Sequence, residues 1–420
     1  NSIDLADVGI MTHSSEHHTC DLLIVGGGLV GLSLARASSD AGLDVLVADR
    51  ESLKKTESDS FDGRVSSVAK GSSNMLRCLG LWEAIGEEAQ PIEEIRITDS
   101  ASPFFLHYDS DDVGNGPMGY IIENRILRRA LHEIVAKDPG ICWHTAVEVE
   151  NIQRKSHGVF AQLSNGKQVE ASLVVAADGR HSSLRSEAGI NVIKHSYNQV
   201  GIVCTVSHTL PHCGVAHERF LSGGPFAILP MTGNRSSLVW TEGPTIASAI
   251  LKLCEEKFLE ELSWRFGESL GKLEVVSPRW HYPLELLLAR ELTAKRFALV
   301  GDSAHAIHPI AGQGLNLGLR DAAALAELLG EAKGLGMDVG DSVVLDRYAR
   351  WRRFDGLTMA AVTDGLYRIF SSGWFPVQGV RGIGLATVNR LPFLKKTFQR
   401  HAMGVLGDLP RLLKDEAVEW

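Results

Sequence analysis

Asp21-Leu22-Leu23-Ile24-Val25-Gly26-Gly27-Gly28-Leu29-Val30-Gly31-Leu32-Ser33-Leu34-Ala35 reads as an apolar strand that breaks into glycines and resumes with helical spacing. Gly26, Gly28 and Gly31 fall as G-x-G-x-x-G. The first allows a tight turn, the second a close backbone approach to a pyrophosphate, and the third close packing of helix on sheet. A pyrophosphate then sits at the N-terminus of the helix. The next apolar run, Val45-Leu46-Val47-Ala48, ends on Asp49, an acid placed to hold a ribose hydroxyl. An ordinary glycine-rich βα turn is the alternative. Strand, glycines, helix and acid in this order weigh against it.

The chain has 420 residues, a length that predicts two or three domains with an ample core. Its net charge of −9 argues against binding to nucleic acid, because no basic excess exists to neutralise phosphates. The six cysteines show neither C-x-x-C nor metal-ligand spacing, so reduced thiols and a cytoplasmic setting are expected, with no disulfide. Residues 1–20 are polar and carry no Lys or Arg, which excludes a secretory n-region or an Arg-rich transit peptide. That segment is expected to be disordered, with Met11 as the native start.

Further along, Met75, Leu76, Leu79 and Trp82 share a helical face within Ser73–Trp82, and Gly80 marks where that helix weakens. Glu94–Asp99 and Phe104–Tyr108 alternate as a hairpin, and Tyr120–Arg125 opens a helix that runs on through Leu127, Leu131 and Ile134. Leu173–Ala177 is a buried strand that ends on Asp178-Gly179. Residues 186–290 carry strand signals, with helical spacing only around Phe258–Phe266. Phe297–Val300 is another strand, ending on Gly301-Asp302, and Pro309-Ile310-Ala311-Gly312-Gln313-Gly314-Leu315-Asn316 follows it with glycines that turn backbone N–H groups toward a ligand.

The fold read from this is α/β: a Rossmann-like FAD-binding domain interleaved with a β-sheet-rich substrate domain and followed by C-terminal helices. The boundaries fall at 21–91, 121–185 and 291–330 for the first, 92–120 and 186–290 for the second, and 331–420 for the helices. His305 and His308 with Asp302 suggest a metal site, but Pro309 breaks the alignment of the two imidazoles, and no metal is expected.

The set Gly26/Gly28/Gly31, Asp178-Gly179-x-x-Ser182-x-x-Arg185, and Gly301-Asp302 with His308-Pro309-x-x-Gly312-x-Gly314-x-Asn316 resembles the single-component FAD-dependent aromatic hydroxylases. Within them it is most similar to the ubiquinone-biosynthesis hydroxylases, in particular those acting on 2-polyprenyl-6-methoxyphenol. This closer likeness rests on Phe61-Asp62-Gly63-Arg64, on Glu218-Arg219-Phe220 with Gly224–Met231, and on Val362-Thr363-Asp364.

The resemblance implies FAD as cofactor, with NADPH or NADH as a transient co-substrate. It gives Asp49 to the adenosine ribose, Arg64 and Arg125 to FAD contacts, Asp178-Gly179 to FAD with NADPH as a second ligand to consider there, and Asp302 to the ribityl chain. Pro309, Gly312, Gly314, Leu315 and Asn316 would line the flavin end. Arg50 follows Asp49, where the family often carries Glu in place of that Asp. The implied reaction passes through a flavin C4a-hydroperoxide and hydroxylates the ring of a polyprenylated phenol. No catalytic base is identified; His217 and Tyr197 are weak candidates, each more readily structural. A flavin-binding scaffold within the ubiquinone-biosynthesis complex, and a flavin-dependent isoprenoid reductase or epoxidase, stay open. Residues 365–407 hold Arg368, Arg381, Arg390, Lys395, Lys396 and Arg400 without an acid, interleaved with Trp374, Phe375, Phe393 and Phe398. That mixture suits peripheral contact with the inner face of the membrane or with partner enzymes. Packing of the apolar residues as a cap on the flavin domain is the competing reading.

Overall fold

The run at 21–25 forms the end of a strand, His17–Val25, and the computed structural model describes residues 17–53, 63–99, 105–112, 114, 116–307, 312–371, 395–396, 399–400 and 402–414. The strand begins earlier than the reading of 1–20 as disordered allows. His17 to Cys20 pair in parallel with Gln168 to Ala171. Backbone ladder bonds are indifferent to polar side chains, so a polar lead-in extends the strand wherever a neighbour offers its edge.

An eight-stranded sheet carries the apolar runs. Its main path is Thr293–Ala294, Phe297–Leu299, Gln168–Ala176, His17–Val25, Val45–Asp49 and Ile141–Thr145. From Phe297–Leu299 to Ile141–Thr145 every pairing is parallel. Strands of this kind are covered on both faces, which is why Leu22, Leu23, Ile24, Val174 and Val175 are all wholly buried. One face takes helices Leu29–Asp40, Asn124–Ala136 and Gln313–Gly334.

A nine-stranded sheet lies in the order His305–Ala306, Trp280–Ala289, Val192–His208, Arg235–Glu242, Gly224–Met231, Val215–Leu221, Glu94–Asp99 and Phe105–Asp109, with Leu273–Val275 attached to Val192–His208. The expected hairpin, Glu94–Asp99 with Phe105–Asp109, thus extends a sheet whose other strands come from beyond residue 190. Helices Pro244–Leu251 and Glu255–Phe266 cover one face of it, packing Phe258, Leu262 and Phe266 on Phe226, Ile228 and Trp240. Each such side chain contributes roughly 1.5–3 kcal/mol by leaving water. The opposite face carries the smaller apolar cluster of Leu106, Tyr108, Met118, Ile121, Ala216 and Met231, where the three-stranded sheet Val65–Ala69, Gly119–Glu123, Gln90–Ile92 packs.

Three local expectations are corrected. The helix read from Tyr120 starts at Asn124, because Gly119–Glu123 pairs as a strand with Val65–Ala69. The helix read over Ser73–Trp82 spans Lys70–Cys78, and a short second one restarts at Trp82 after Gly80 adopts φ +78°. Pro244–Leu251 was not foreseen as a helix: Ala247, Ile250 and the partly buried Leu251 carry its inward face, a single i, i+3, i+4 set in eight residues.

Candidate functional site

The ends of the parallel strands bring distant residues into one place. Gly26 N–H donates to Ala48 O at 2.9 Å, Ala177 N–H to Val25 O at 2.8 Å, and Val300 N–H to Ala176 O at 3.1 Å. Asp49, Gly26, Asp178 and Gly301 therefore stand side by side at the carboxyl edge of the sheet, the position where open α/β sheets bind ligands. Gly26 has φ +113°, and a Cβ on it would lie 2.3 Å from Ala177 O; one on Gly31 would lie 2.0 Å from Gly26 O. These two glycines are required by the protein's own packing. Gly28 differs: it is extended, and among the described residues a Cβ there would meet no atom within 4 Å. The space above it is free for a ligand, with the first N–H groups of Leu29–Asp40 beside it.

Asp49 is buried at the end of its strand, its carboxylate against Gly27 and accepting Glu51 N–H at 3.1 Å. Burial pushes its pKa up. Arg50 is exposed next to it. Asp178 leaves one buried oxygen, Oδ1, without a partner, which is a place for a ligand hydroxyl. Arg185, predicted with the same motif, works inward by donating to Ser303 O at 2.8 Å and Arg180 O at 3.1 Å, so it ties two strand-end loops together. Arg125 donates to Glu123 at 2.7 Å, and Arg64 is exposed.

Gln313–Gly334 opens on Gly312, whose left-handed φ of +62° leaves a Cβ only 2.8 Å from Ser67 Cβ. Asn316 accepts from Ala69 N–H at 2.8 Å and donates to Ser67 O at 2.8 Å, so it fixes this helix start to the strand Val65–Ala69. Leu315 is half-buried, and among the described residues a Cβ on Gly314 would meet nothing within 4 Å, at the end of the helix where the first N–H groups have no partner within the helix. Asp302 is exposed on the turn Gly301–Ser303. Pro309 and His308 lie outside the described residues.

Asp321 was not identified as a site residue from the sequence. It takes Gly301 N–H at 3.0 Å and His305 Nε2 at 2.6 Å on one oxygen, and Arg352 Nε at 2.8 Å on the other. Burial raises its pKa, but His305 and Arg352 outweigh burial and hold the carboxyl below its ordinary value. His305 is thus committed to a carboxylate beneath the turn. Elsewhere, Glu94, His107 and Asp109 bring ligand-type atoms within 4.8 Å of one another, with Arg96 already on Glu94 at 2.6 Å.

The two proposed bases are accounted for structurally. Tyr197 is buried among Leu284, Leu286 and Leu317. Burial, aided by Arg219 and Arg96, pushes His217 down to about 4. No helix among the described residues is long and apolar enough to cross a membrane. In the C-terminal segment, Lys395 pairs with Asp112 at 2.6 Å and Gln399 is buried, while Lys396 and Arg400 are exposed. Trp374, Phe375, Arg381, Arg390, Phe393 and Phe398 lie outside the described residues.

The open cradle at Gly28, the open helix start at Gly314 and the unpartnered Asp178 oxygen fit a dinucleotide, and FAD is the group the comparisons support. Residues 19–356 match the FAD binding domain family. The chain is 46% identical over 409 residues to ubiquinone hydroxylase UbiL of Rhodospirillum rubrum, covering 97% of this chain and 95% of that protein. It is 30% identical to 3-demethoxyubiquinol 3-hydroxylase of Escherichia coli, covering 92% of this chain and 98% of that protein. The solved structure of p-nitrophenol 4-monooxygenase PnpA from Pseudomonas putida superposes with a TM-score of 0.76 at 20% identity, covering 92% and 98% of the two chains; this likeness speaks to the fold alone.

Proposed function

Because this chain belongs to the FAD binding domain family and, within it, to the hydroxylases of ubiquinone biosynthesis, we propose that its substrate is a polyprenylated phenol, hydroxylated on the ring with dioxygen and a reduced nicotinamide. It is an FAD-dependent monooxygenase. The observation that carries the substrate reading is the pairing of one dinucleotide cradle with the largely apolar face of the nine-stranded sheet that its two helices leave free and the three-stranded sheet covers in part. With no second nucleotide cradle among the described residues, the nicotinamide is read as a transient visitor.

FAD, when bound, accepts electrons from the nicotinamide and activates dioxygen toward an electron-rich ring. Gly26, Gly28 and Gly31 would hold its pyrophosphate, Asp49 a ribose, and Asp302 the linking chain. The N–H groups at Gly314 to Asn316 offer positive partial charge to a reduced, anionic ring. The sheet face excludes water and orients the substrate. Over one turnover the phenol, dioxygen, reduced nicotinamide and one proton give the hydroxylated phenol, oxidised nicotinamide and water. Purified protein supplied with a prenylated phenol, NADPH and ¹⁸O₂ gas is expected to place ¹⁸O in the new hydroxyl. Label arriving only from H₂¹⁸O would overturn the monooxygenase reading, and the position of the label on the ring names the step.

We also place the approach to lipid or to partner enzymes on residues 365–407. The acid-free stretch supports this, as does a substrate whose tail avoids water. Because Lys395 is neutralised by Asp112, the free cations among the described residues of that stretch are Lys396 and Arg400. Lys396→Glu with Arg400→Glu is expected to lower cosedimentation with anionic vesicles severalfold. Unchanged cosedimentation would favour the packing alternative.

A further inference from the structure

Trp280, Val203, Val239, Ala227, Glu218 and Ile97 pair strand to strand in a single row across the nine-stranded sheet. Directly paired residues share a face. The face is the one away from the two covering helices, since the adjacent Arg219 pairs with Phe226 and donates to Arg265 O on the helix side at 3.0 Å. At one end the row meets the segment that leads into Val65–Ala69, the strand to which Asn316 ties the helix start at Gly312: a Cβ on Gly63 would fall 1.7 Å from the Trp280 ring. Tyr282 has its phenol raised by burial while Arg180 and Arg64 pull against the rise.

Glu218 is the single ionisable group in this otherwise apolar row. Among the described residues it has neither a hydrogen bond nor an ion pair. It keeps some open surface, yet burial alone raises its pKa to about 8. We read a side chain both partly exposed and deeply enclosed as facing a cleft. Unpartnered carboxyls at such depth are costly, and a partner that arrives with the substrate removes the cost.

We propose that Glu218 accepts the hydrogen bond of the substrate's ring hydroxyl, and so orients the ring and takes up its proton as the ring is attacked. This rests on the hydroxylase reading above. A carboxyl titrating near neutrality lies closer to a phenol, whose pKa is about 10, than an ordinary carboxyl does, and general-base transfer is more effective for that reason. As the ring carbon gains oxygen, the hydroxyl proton moves to the Glu218 carboxylate. It returns to the same oxygen when the ring carbon loses its own hydrogen as a proton to solvent, so Glu218 ends the turnover unchanged. The other charged groups toward this cleft are Asp99 on the same face of Glu94–Asp99, Arg64 and Arg180 near Tyr282, and Glu123 held between Arg125 and Arg235. His217, one residue away, points to the opposite face and is neutral.

The test uses the FAD-loaded enzyme, a phenol bearing two isoprene units, and the methyl ether of that phenol. Binding is read from the flavin spectrum. Wild type is expected to prefer the phenol over the ether by at least about tenfold; Glu218→Gln, whose amide oxygen still accepts a hydrogen bond, should keep part of that preference, and Glu218→Leu should bind both alike. Product formation in Glu218→Gln is expected to fall by about a hundredfold or more, the usual size of general-base effects. The rise in wild-type rate through pH 8 is expected to vanish. Glu218→Leu, which suits an apolar face, is the second variant and should lose the preference entirely. Both variants should hold FAD and melt no lower than wild type at pH 8.5, since a buried charge has been removed. A lowered melting temperature in Glu218→Leu with the phenol preference retained would assign Glu218 a structural role and overturn the proposal, as would either variant keeping the wild-type rate. If wild type binds the phenol but yields no hydroxylated product, it is the hydroxylase reading that fails.

Discussion

A Gly28→Val protein is expected to fold and to purify colourless. The residue is extended and a Cβ there meets no atom of the described residues within 4 Å, so valine is expected to fit the fold itself. It fills instead the space through which a pyrophosphate must reach the backbone N–H groups of Leu29–Asp40. FAD affinity should drop by at least about a hundredfold, which corresponds to roughly 3 kcal/mol. The absorbance ratio of flavin to protein measures the loss, and the melting temperature should equal that of wild type stripped of FAD, because bound ligand is what raises it. Gly26→Ala provides the contrast, since its Cβ runs into Ala177 O and destabilises the protein with or without cofactor. A Gly28→Val protein that stays yellow at full stoichiometry would move the cofactor elsewhere.

The place of Gly28 at a strand-to-helix turn could be read from the sequence because it depends on neighbours within a few positions: an apolar strand before it, a helix after it. The strand-end places of Asp49, Asp178 and Asp302 were legible for the same reason, each following a short apolar run. Asp321 was not. It appears in the sequence as one acid on a helix, and its meaning comes from Gly301, His305 and Arg352, which reach it only after the chain has folded back. Glu218 was quoted for its likeness to a motif, with no role attached. Its isolation depends on Ile97 and Ala227 standing beside it on neighbouring strands, and strand register is not written in the local pattern. His217 drew attention as a histidine, yet alternation along Val215–Leu221 sends it to the other face. The helix Pro244–Leu251 escaped because so little of it is buried.

Asp321→Asn should destabilise the protein by about 3–5 kcal/mol, the usual consequence of removing one partner from a buried ion pair. Arg352 is 1% exposed, and with Asp321 neutral its guanidinium keeps only Asp355, itself shared with Arg320. The turn Gly301–Ser303 loses its anchor at the same stroke, so FAD should bind more weakly than the stability loss alone explains. The pH dependence has a definite sign. The folded pKa of Asp321 lies below the ordinary carboxylate value, so its contribution is complete above that value and disappears as pH falls through the lowered one. Wild type and Asp321→Asn should therefore differ most near neutral pH and converge in acid. Urea titrations from pH 7 down to pH 3 measure this directly. The decisive comparison is the double variant Asp321→Asn with Arg352→Met. If the loss in the single variant comes from a stranded buried charge, removing that charge restores a substantial part of the stability, as apolar replacement of buried pairs does. If the double variant is instead as unstable as the sum of its parts, the two residues act independently, and the turn under Asp302 owes its position to packing of Val30 against Gly301 and Gly318.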